Sequence, residues 1–594
     1  MDKTNESRGS DKGDKAGLKA HDVSILKELP LLSGKEALDR ILEHPDPGGL
    51  IKGLPDEDFF WLMKGVGDDC TQLLRLASLR QWQYILDMEL WEKDRLDLAQ
   101  TFLWLQRLER SDPGRLVRYL FTEGQSLAYL YLFRSIRVEV RDEDEAYDLE
   151  KGFVTLDGLF YVNVNREEER DTLERILKTM AHEDLLRYHA LLMGLTGVLP
   201  AELEEEMYRL RNVRMAEHGF LPREEALLCY APLDLKAIEQ EDPRDRVSDV
   251  PDKEALELAP YTPFYFSQGF TLLTDSVSRI TDPDLLERIR LEFAGLCNQI
   301  LSADGSPIHD MEILKKTGRK AAGYLNLCLE KVSKGDTKAA QELMEKNRLI
   351  SLFRAGFSLA LKLKWEAERW FKEGWFDPET VEYSFWGEQR GNTLAGLMSR
   401  KPLYYCGPEG EEEYRDFERI SELNAVAEIL HGLMALDGLL LRLTDARTVN
   451  REEVQDRALT LHNLLFTLWA RQMLGLESSL EPVSIEDATR FFRLLRKGDK
   501  SPPFQMLGFE QIFVKDFMTP GPDPGSREGA ALKQALTSIW QEFCEEYDFV
   551  ELHDLDPKFS RYILINPSSC IQQRPCCLAC CWARDSDGGA INKI

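Results

Sequence analysis

The stretch from Leu54 to Leu120 constrains the fold of this chain more than any other part of the sequence. It consists of three blocks of 22 residues, with a leucine at Leu54, Leu76, Leu98 and again at Leu120. A period of this length holds two short helices with their turns, and such a pair buries its apolar faces only against neighbouring pairs. The spacing therefore predicts stacked helix pairs that form a right-handed superhelix. Large aromatic residues recur at similar offsets: Phe60, Trp61, Trp82 and Trp104.

The aromatic residues of this repeat allow two interpretations. Rings at helical spacing are typical of the core between stacked helices, because each ring buries a large apolar area there. The same tryptophans could instead line a groove for a ligand. In either case we expect a mainly α fold, in which the N-terminal superhelix is followed by larger helical blocks.

Signals for β-strands are few and lie just after the repeat. Residues 136–140 alternate apolar and charged side chains, which favours a strand. Residues 152–165 are rich in β-branched and aromatic side chains around Asp157-Gly158, a pattern that indicates a hairpin turn. We therefore expect a strand and a small β-hairpin within an otherwise helical chain.

Several predicted helices have recognisable starts. Ser33 is placed as an N-cap, and Ser484 opens another amphipathic stretch in the same way. Pro55 is followed by three acidic residues at 56–58. Acidic side chains stabilise the positive end of a helix dipole, so a helix is predicted to begin there.

Shifts in composition divide the chain into segments. A length of 594 residues has room for roughly three to five domains. The predicted segments are a disordered tail (1–22), a helical-repeat domain (23–135), a hairpin-bearing helical domain (136–240), an acidic linker (241–262), a central helical domain (263–450), a C-terminal helical domain (451–566) and a cysteine-rich irregular tail (567–594).

The charge of the chain is strongly negative. Acidic residues outnumber basic ones by 104 to 75, which gives a formal charge of −29. Binding to nucleic acid or to an anionic membrane needs a concentrated basic surface, so the charge argues against both. No apolar run reaches the ~18 residues that cross a bilayer, and no signal peptide is recognisable. Together with only 11 cysteines, these features favour a cytoplasmic protein without membrane insertion.

Signatures of familiar enzymes are absent from the sequence. It contains no glycine-rich phosphate loop, no dinucleotide-binding glycine motif after a strand and no nucleophile elbow. Glu428 and His431 match half of a di-iron carboxylate motif, but no other histidine has a glutamate three residues before it. We therefore predict no catalytic residues.

Two polar clusters are candidates for a ligand site. One is the loop around residues 385–407, where convergent polar groups lie beside aromatic residues, as in small-molecule pockets. The alternative for this loop is an ordinary connection whose aromatic residues pack on the core. The candidate ligand residues there are Trp386, Glu388, Arg390 and Asn392.

The second cluster is basic and consists of Arg209, Arg211 and Arg214. These side chains could bind an acidic partner or an anion. Several glutamates lie at 202–206, however, and favour the alternative of a helix surface covered by salt bridges.

The C-terminal tail contains a dense group of cysteines. Cys577 and Cys580 have the C-x-x-C spacing that lets two thiolates reach one zinc ion, and Cys576 and Cys581 could complete a tetrahedral set. Structural zinc sites normally separate two ligand pairs by a folded loop, and no second separated pair is present. A thiol-rich tail without metal, or an altered reading frame at the end of the gene, are the alternatives.

Two resemblances to known families can be stated. The segment LPDEDF and the leucine-rich helix pairs of 54–120 are similar to the cytoplasmic helical domain of magnesium transporters and to the middle segment of flagellar switch proteins. LPDEDFFWLMKGVG, QWQYILDMELWEKDRLD and EEEMYRLRNVRMAEHGF resemble an uncharacterised bacterial family, a domain of unknown function, over most of the length up to about Ile565. That family implies no activity, catalytic residue or cofactor.

Two functions are compatible with these observations. Stacked helix pairs create an extended concave face, which favours a cytoplasmic scaffold or protein-interaction module with a protein partner and no catalytic activity. The alternative is an enzyme or small-molecule sensor with a site between helical blocks, near 386–392 or 209–214.

Overall fold

The structure is a computed structural model, and it describes residues 25, 28–29, 32–140, 151–240, 260, 262, 271–305, 311–410, 412–446, 448–496, 501–504, 506–519 and 521–566. The chain forms two compact units. The first contains the described residues of Met1–Leu359 together with Asp416–Ile420, and the second contains those of Ala360–Arg415 and Ser421–Ile594. The finer division into segments remains a prediction.

Helices make up most of the described chain, which confirms the predicted mainly α fold. The first helices are α1 (Gly34–Leu42), α2 (Pro47–Lys52), α3 (Asp56–Val66), α4 (Thr71–Leu76), α5 (Leu79–Glu89), α6 (Leu98–Ser111), α7 (Pro113–Leu120), α8 (Gln125–Ser135) and α9 (Glu167–Glu183). They are followed by α10 (Leu185–Gly194), α11 (Pro200–Glu217), α12 (Arg223–Ala226), α13 (Leu235–Gln240), α14 (Leu272–Ser278), α15 (Pro283–Asp304), α16 (Met311–Ser333) and α17 (Thr337–Lys346). The last helices are α18 (Leu349–Glu373), α19 (Glu388–Met398), α20 (Ile420–Asp445), α21 (Arg451–Asp456), α22 (Leu461–Leu474), α23 (Ile485–Leu495), α24 (Glu510–Met518) and α25 (Arg527–Tyr547).

The strands form small antiparallel sheets. The largest has the order β3 (Ile136–Val140), β5 (Phe160–Val164), β4 (Val154–Thr155). Its β3 and β5 strands align Ile136 with Val164 and Val140 with Phe160. This sheet confirms both the predicted strand at 136–140 and the predicted hairpin around Asp157-Gly158. The strands are β1 (Trp91–Glu92), β2 (Arg95–Leu96), β3 (Ile136–Val140), β4 (Val154–Thr155), β5 (Phe160–Val164), β6 (Tyr404–Tyr405) and β7 (Tyr414–Arg415).

The predicted helix starts are also confirmed. Ser33 caps α1 in a reciprocal arrangement, in which its hydroxyl accepts from the Glu36 N–H and the Glu36 carboxylate accepts from the Ser33 N–H. Ser484 caps α23 by accepting from the Asp487 N–H at 3.1 Å. Helix α3 begins at Asp56, directly after Pro55.

The tryptophans of the repeat lie in the core of the first unit. Trp61 of α3, Trp82 of α5 and Trp104 of α6 are all fully buried within one hydrophobic cluster. The Trp82 indole donates to the Leu74 carbonyl at 2.9 Å. These aromatic residues therefore hold successive helices together, in agreement with the core interpretation.

The 22-residue spacing does not mark equivalent structural positions. Leu54 precedes α3 and Leu98 begins α6, whereas Leu76 and Leu120 end α4 and α7. The middle block contains one helix and the β1-β2 hairpin instead of two helices. Leu54 and Leu120 belong to the buried core of the first unit, whereas Leu76 and Leu98 are partly buried and pack against it.

The second unit has an aromatic core of its own. Phe466 of α22 stacks on Phe543 of α25 with ring centroids 4.2 Å apart, and Trp469 meets Trp540 edge-to-face at 5.4 Å. Within the described residues, no helix combines the length and apolarity that crossing a bilayer requires.

Candidate functional site

The candidate site is a cavity of about 700 Å³ in the first unit. Its wall is formed by the start of α3, the middle of α5, the end of α11 and the middle of α15. The exposed residues Ala216 and Glu217 belong to the wall, so the cavity opens to solvent. Its volume is in the range that holds a small organic molecule.

Three consecutive acidic residues in the first turn of α3 are all buried. Asp56, Glu57 and Asp58 are only 5%, 3% and 5% exposed. Successive residues on a helix point about 100° apart, so the three carboxyl groups reach three different partners. The start of α3 is therefore a hub that joins several parts of the first unit.

Each carboxyl group of the hub contacts a different element. Asp56 accepts from Arg80 Nε of α5 at 3.1 Å, and Glu57 Oε2 accepts from the Asn298 amide of α15 at 3.1 Å. Asp58 accepts from the backbone N–H of Thr262 at 2.8 Å. The sequence indicated a helix start at these acids, but it did not indicate that they are buried.

Glu57 is the most strongly perturbed acid of the hub. Burial, together with the neighbouring Asp58 carboxylate, raises the pKa of Glu57 to about 8, although the hydrogen bond from Asn298 partly opposes the shift. The carboxyl group is therefore mainly protonated at neutral pH. Its Oε1 atom has no hydrogen-bond partner among the described residues.

Tyr84 of α5 brings a second unpartnered group to the same cavity. The side chain is 4% exposed, and its hydroxyl makes no hydrogen bond within the described part of the chain. Its ring packs edge-to-face against Phe60 at 5.9 Å and against His218 at 4.7 Å. Burial and the nearby Glu57 raise the pKa of Tyr84, so the phenol stays protonated.

His218 follows the end of α11 and lines the cavity beside Tyr84. Burial lowers the pKa of His218 despite the nearby Asp56 carboxylate, so the imidazole is neutral at physiological pH. The chain reverses here through Gly219, whose φ is +86°. A Cβ at Gly219 would lie 2.8 Å from the backbone of Gly295 on α15, so only glycine permits this close approach.

The predicted basic cluster divides between the cavity and the surface. Arg214 lines the cavity and grips Asp87 of α5 through two hydrogen bonds of 2.7 and 2.8 Å. Arg211 donates from Nε to the Asp87 carbonyl at 2.6 Å. Arg209, by contrast, pairs with Glu206 on the exposed face of α11, which is the surface salt bridge that the glutamates favoured.

The predicted loop at 386–392 lies in the second unit. Trp386 is fully buried in the aromatic core, Glu388 lines a separate cavity of about 430 Å³, and Asn392 is half-buried on α19. Arg390 lines another cavity of about 220 Å³ and is bound to Glu542 of α25. The predicted ligand residues are thus spread over different environments, and their role as a site remains a prediction.

Glu542 joins two basic side chains in that unit. Its carboxylate bonds to Arg390 at 3.1 Å and to the His462 ring at 2.9 Å. Although burial raises the pKa of Glu542, the hydrogen bonds from His462 and Arg390 outweigh it and lower the pKa to about 2. These two partners therefore satisfy the Glu542 carboxylate.

The proposed zinc ligands Cys576, Cys577, Cys580 and Cys581 lie outside the described residues. Among the residues that are described, no group of three or more His, Cys, Asp or Glu side chains is arranged to hold a metal ion. Zinc binding by the tail remains a prediction.

Sequence reasoning missed Glu57, Tyr84, His218 and Asn298 as site residues. These four positions are far apart in the chain and meet only through helix packing. One local signal was available. The acids at 56–58 are followed directly by the apolar residues at 59–61, so three acidic side chains are adjacent in sequence to residues expected in the core.

Comparison with known proteins supports the resemblance to a family of unknown function, whereas the resemblance to magnesium transporters remains a prediction. No curated protein and no solved structure matched the chain. One family model matches residues 18–566, which is most of the chain. The chain therefore belongs to the family of unknown function DUF6178.

Proposed function

We propose that the protein binds a small organic molecule in the cavity of its first unit. The observation that supports this proposal is that Glu57 Oε1 and the Tyr84 hydroxyl are both buried without a hydrogen-bond partner in the described structure, and both residues line one cavity. An unsatisfied buried polar group costs roughly 1–3 kcal/mol. A ligand that supplies the missing partners would recover this cost.

Two other polar pairs of the cavity have a different role. Arg80 is bound to Asp56, and Arg214 is bound to Asp87. Because these charges already satisfy one another, they fix the positions of α3, α5 and α11 around the cavity. Glu57 and Tyr84 differ from these pairs, because each has a buried polar atom without a hydrogen-bond partner among the described residues.

The buried carboxyl group of Glu57 favours a functional role for this residue over a purely stabilising one. At position 57 an uncharged glutamine would fill the same space without the cost of ionisation at high pH. Strongly perturbed ionisable groups beside a cavity are characteristic of functional sites. The buried carboxyl group at position 57 is consistent with such a role.

A protein-interaction module is the second candidate, and the surface of α11 favours it. Met215 is the one residue of α11 that is fully buried. Leu199, which precedes the helix, and Leu210 and Val213 within it are 41–61% exposed. Exposed apolar side chains on one helix are typical of surfaces that contact another protein.

A thermal-shift screen with a metabolite library tests the ligand proposal. A ligand at a hundred times its dissociation constant stabilises a protein by about 2.7 kcal/mol. We expect hits that stabilise the wild type and the surface variant Glu206→Gln but stabilise Leu291→Trp less, because the larger ring at half-buried Leu291 occupies part of the cavity. If all hits stabilise Leu291→Trp equally well, the ligand does not bind in this cavity.

A further inference from the structure

The hydrogen bonds of Asn298 define the role of each Glu57 oxygen. The Asn298 Nδ2 group donates to the carbonyl oxygen of His218 at 2.7 Å and to Glu57 Oε2 at 3.1 Å. A backbone carbonyl only accepts, so this contact identifies Nδ2 as the amide nitrogen. Glu57 Oε2 therefore acts as an acceptor, and in the neutral acid the proton resides on Oε1.

Two residues of the cavity wall consequently carry a hydrogen-bond donor that lies beneath the cavity surface. One is the O–H of the protonated Glu57 carboxyl at Oε1, and the other is the Tyr84 phenol. Neither donor has an acceptor among the described residues. A ligand that complements this wall must bring an acceptor oxygen.

The surroundings select a neutral acceptor over an anionic one. Burial raises the pKa of Tyr84, and the nearby Glu57, Asp56 and Asp58 carboxyl groups raise it further, so negative charge is disfavoured at this place. The rest of the wall includes the apolar residues Met215, Leu291 and Ala294. These contacts suit a ligand with an apolar body.

We propose that the cavity recognises a neutral molecule with a carbonyl group, a ketone, ester or amide, whose oxygen accepts hydrogen bonds from Glu57 Oε1 and from Tyr84. This inference rests on the proposed function and names its ligand class. Solvent does not reach either donor atom, so ligand entry requires a local rotation of the wall side chains. Two new hydrogen bonds to formerly unpaired groups favour that rotation.

Several ionisable groups surround Glu57, and any pH dependence reflects all of them. Asp56 and Asp58 lie beside it on α3. The groups that face it from the other elements are Arg80, Tyr84 and Asp87 of α5, Arg214 and His218 at the end of α11, and Cys297 of α15. The pKa of Glu57 itself is raised to about 8.

Binding of three matched sets of small molecules distinguishes a protonated Glu57, which donates a hydrogen bond, from an ionised Glu57 carboxylate. The probes are aliphatic ketones and amides, aliphatic carboxylates, and alkylammonium ions of the same chain length, with binding measured at neutral pH. Glu57→Gln retains a donor through its amide, Glu57→Met removes it at similar volume, and Tyr84→Phe removes the phenol.

The expected result is binding of the ketones and amides in preference to both kinds of ion. Their affinity should stay within about threefold in Glu57→Gln and fall about tenfold in Glu57→Met and in Tyr84→Phe. In the wild type it should also weaken above about pH 8, and this weakening should be absent in Glu57→Gln. Affinity in Glu206→Gln, a surface control, should not change.

Two results would overturn the inference. Preferred binding of alkylammonium ions that Glu57→Gln abolishes would identify an ionised carboxylate, and the cavity would still be a ligand site. The infrared difference spectrum between wild type and Glu57→Gln at neutral pH should contain the C=O band of a protonated carboxyl group, and its absence would also overturn the inference. This measurement requires neither a ligand nor the Glu57→Met variant. Failure of the proposed function itself would show as library hits that are insensitive to Leu291→Trp.

Discussion

Arg214 holds Asp87 with two hydrogen bonds of 2.7 and 2.8 Å, although the two residues are 127 positions apart in the chain. Asp87 is almost completely buried, whereas Arg214 is half-exposed at the edge of the cavity. Removal of the guanidinium would leave a buried carboxylate without its main partner, which is more costly than loss of a surface pair.

We therefore expect Arg214→Met to lower the free energy of unfolding by about 2 kcal/mol. The loss is smaller than for a fully buried pair, because solvent around the half-exposed guanidinium position replaces part of the interaction. Urea unfolding followed by tryptophan fluorescence measures this change. Arg209→Met is the matched control, since Arg209 lies on the same helix and pairs with Glu206 at the surface. Equal effects of the two substitutions would contradict the assigned role of Arg214.

Glu57 should make the stability of the wild type depend on pH. Its pKa is raised from an ordinary value of 4.5 to about 8, so the folded state retains a proton that the unfolded state loses first. The contribution of Glu57 to stability is therefore fully present below about pH 4.5 and decreases as pH rises to about 8.

Glu57→Gln should remove this dependence. We expect its melting temperature to match the wild type at about pH 5 and to exceed it increasingly towards about pH 9. Glu206→Gln should show no such increase, because Arg209 lowers the pKa of the exposed Glu206. Parallel melting curves of wild type and Glu57→Gln across this range would mean that Glu57 has no raised pKa.

Glu542 should have the opposite pH dependence in the second unit. Its pKa is lowered to about 2, so its contribution is present above about pH 4.5 and is lost as pH falls towards 2. Glu542→Gln should therefore cost about 2 kcal/mol at neutral pH, after allowance for solvent screening, and flatten the acid side of the stability profile. Thermal unfolding at several pH values measures both effects, and an unchanged acid profile would contradict the assignment.

The hairpin turn between β4 and β5 should favour glycine at position 158. Gly158 has φ of +77°, and a Cβ added there would have no neighbouring atom within 4 Å, so backbone strain is the sole obstacle to a side chain. We expect Gly158→Ala to cost about 1 kcal/mol. Gly197 has equally open space without a positive φ, so Gly197→Ala should be nearly neutral. Chemical denaturation of both variants compares them directly.

Local signals in the sequence predicted much of the fold. The Asp157-Gly158 turn forms because the Asp157 carboxylate accepts from the Leu159 and Phe160 N–H groups, both at 2.9 Å, and these partners are near in sequence. The cap at Ser33 also involves only residues three apart. The family resemblance, over most of the chain, was confirmed as well.

The candidate site could not be predicted in the same way. Asp58 bonds to the backbone of Thr262, and Glu57 bonds to Asn298, partners more than 200 positions away. A helix start with three acids has the same local pattern whether it faces solvent or the core. The 22-residue leucine spacing was also misleading, because the four leucines occupy different positions relative to the helices.

The measurement that tests the central claim most directly is calorimetric titration of the strongest library hit into wild type, Glu206→Gln, Tyr84→Phe and Leu291→Trp. If the cavity of the first unit is a ligand site, wild type and Glu206→Gln should bind one molecule per chain with equal affinity. Tyr84→Phe should bind about tenfold more weakly, and Leu291→Trp should also bind more weakly, because its ring occupies part of the cavity. Unchanged affinity in Leu291→Trp and Tyr84→Phe would contradict the account.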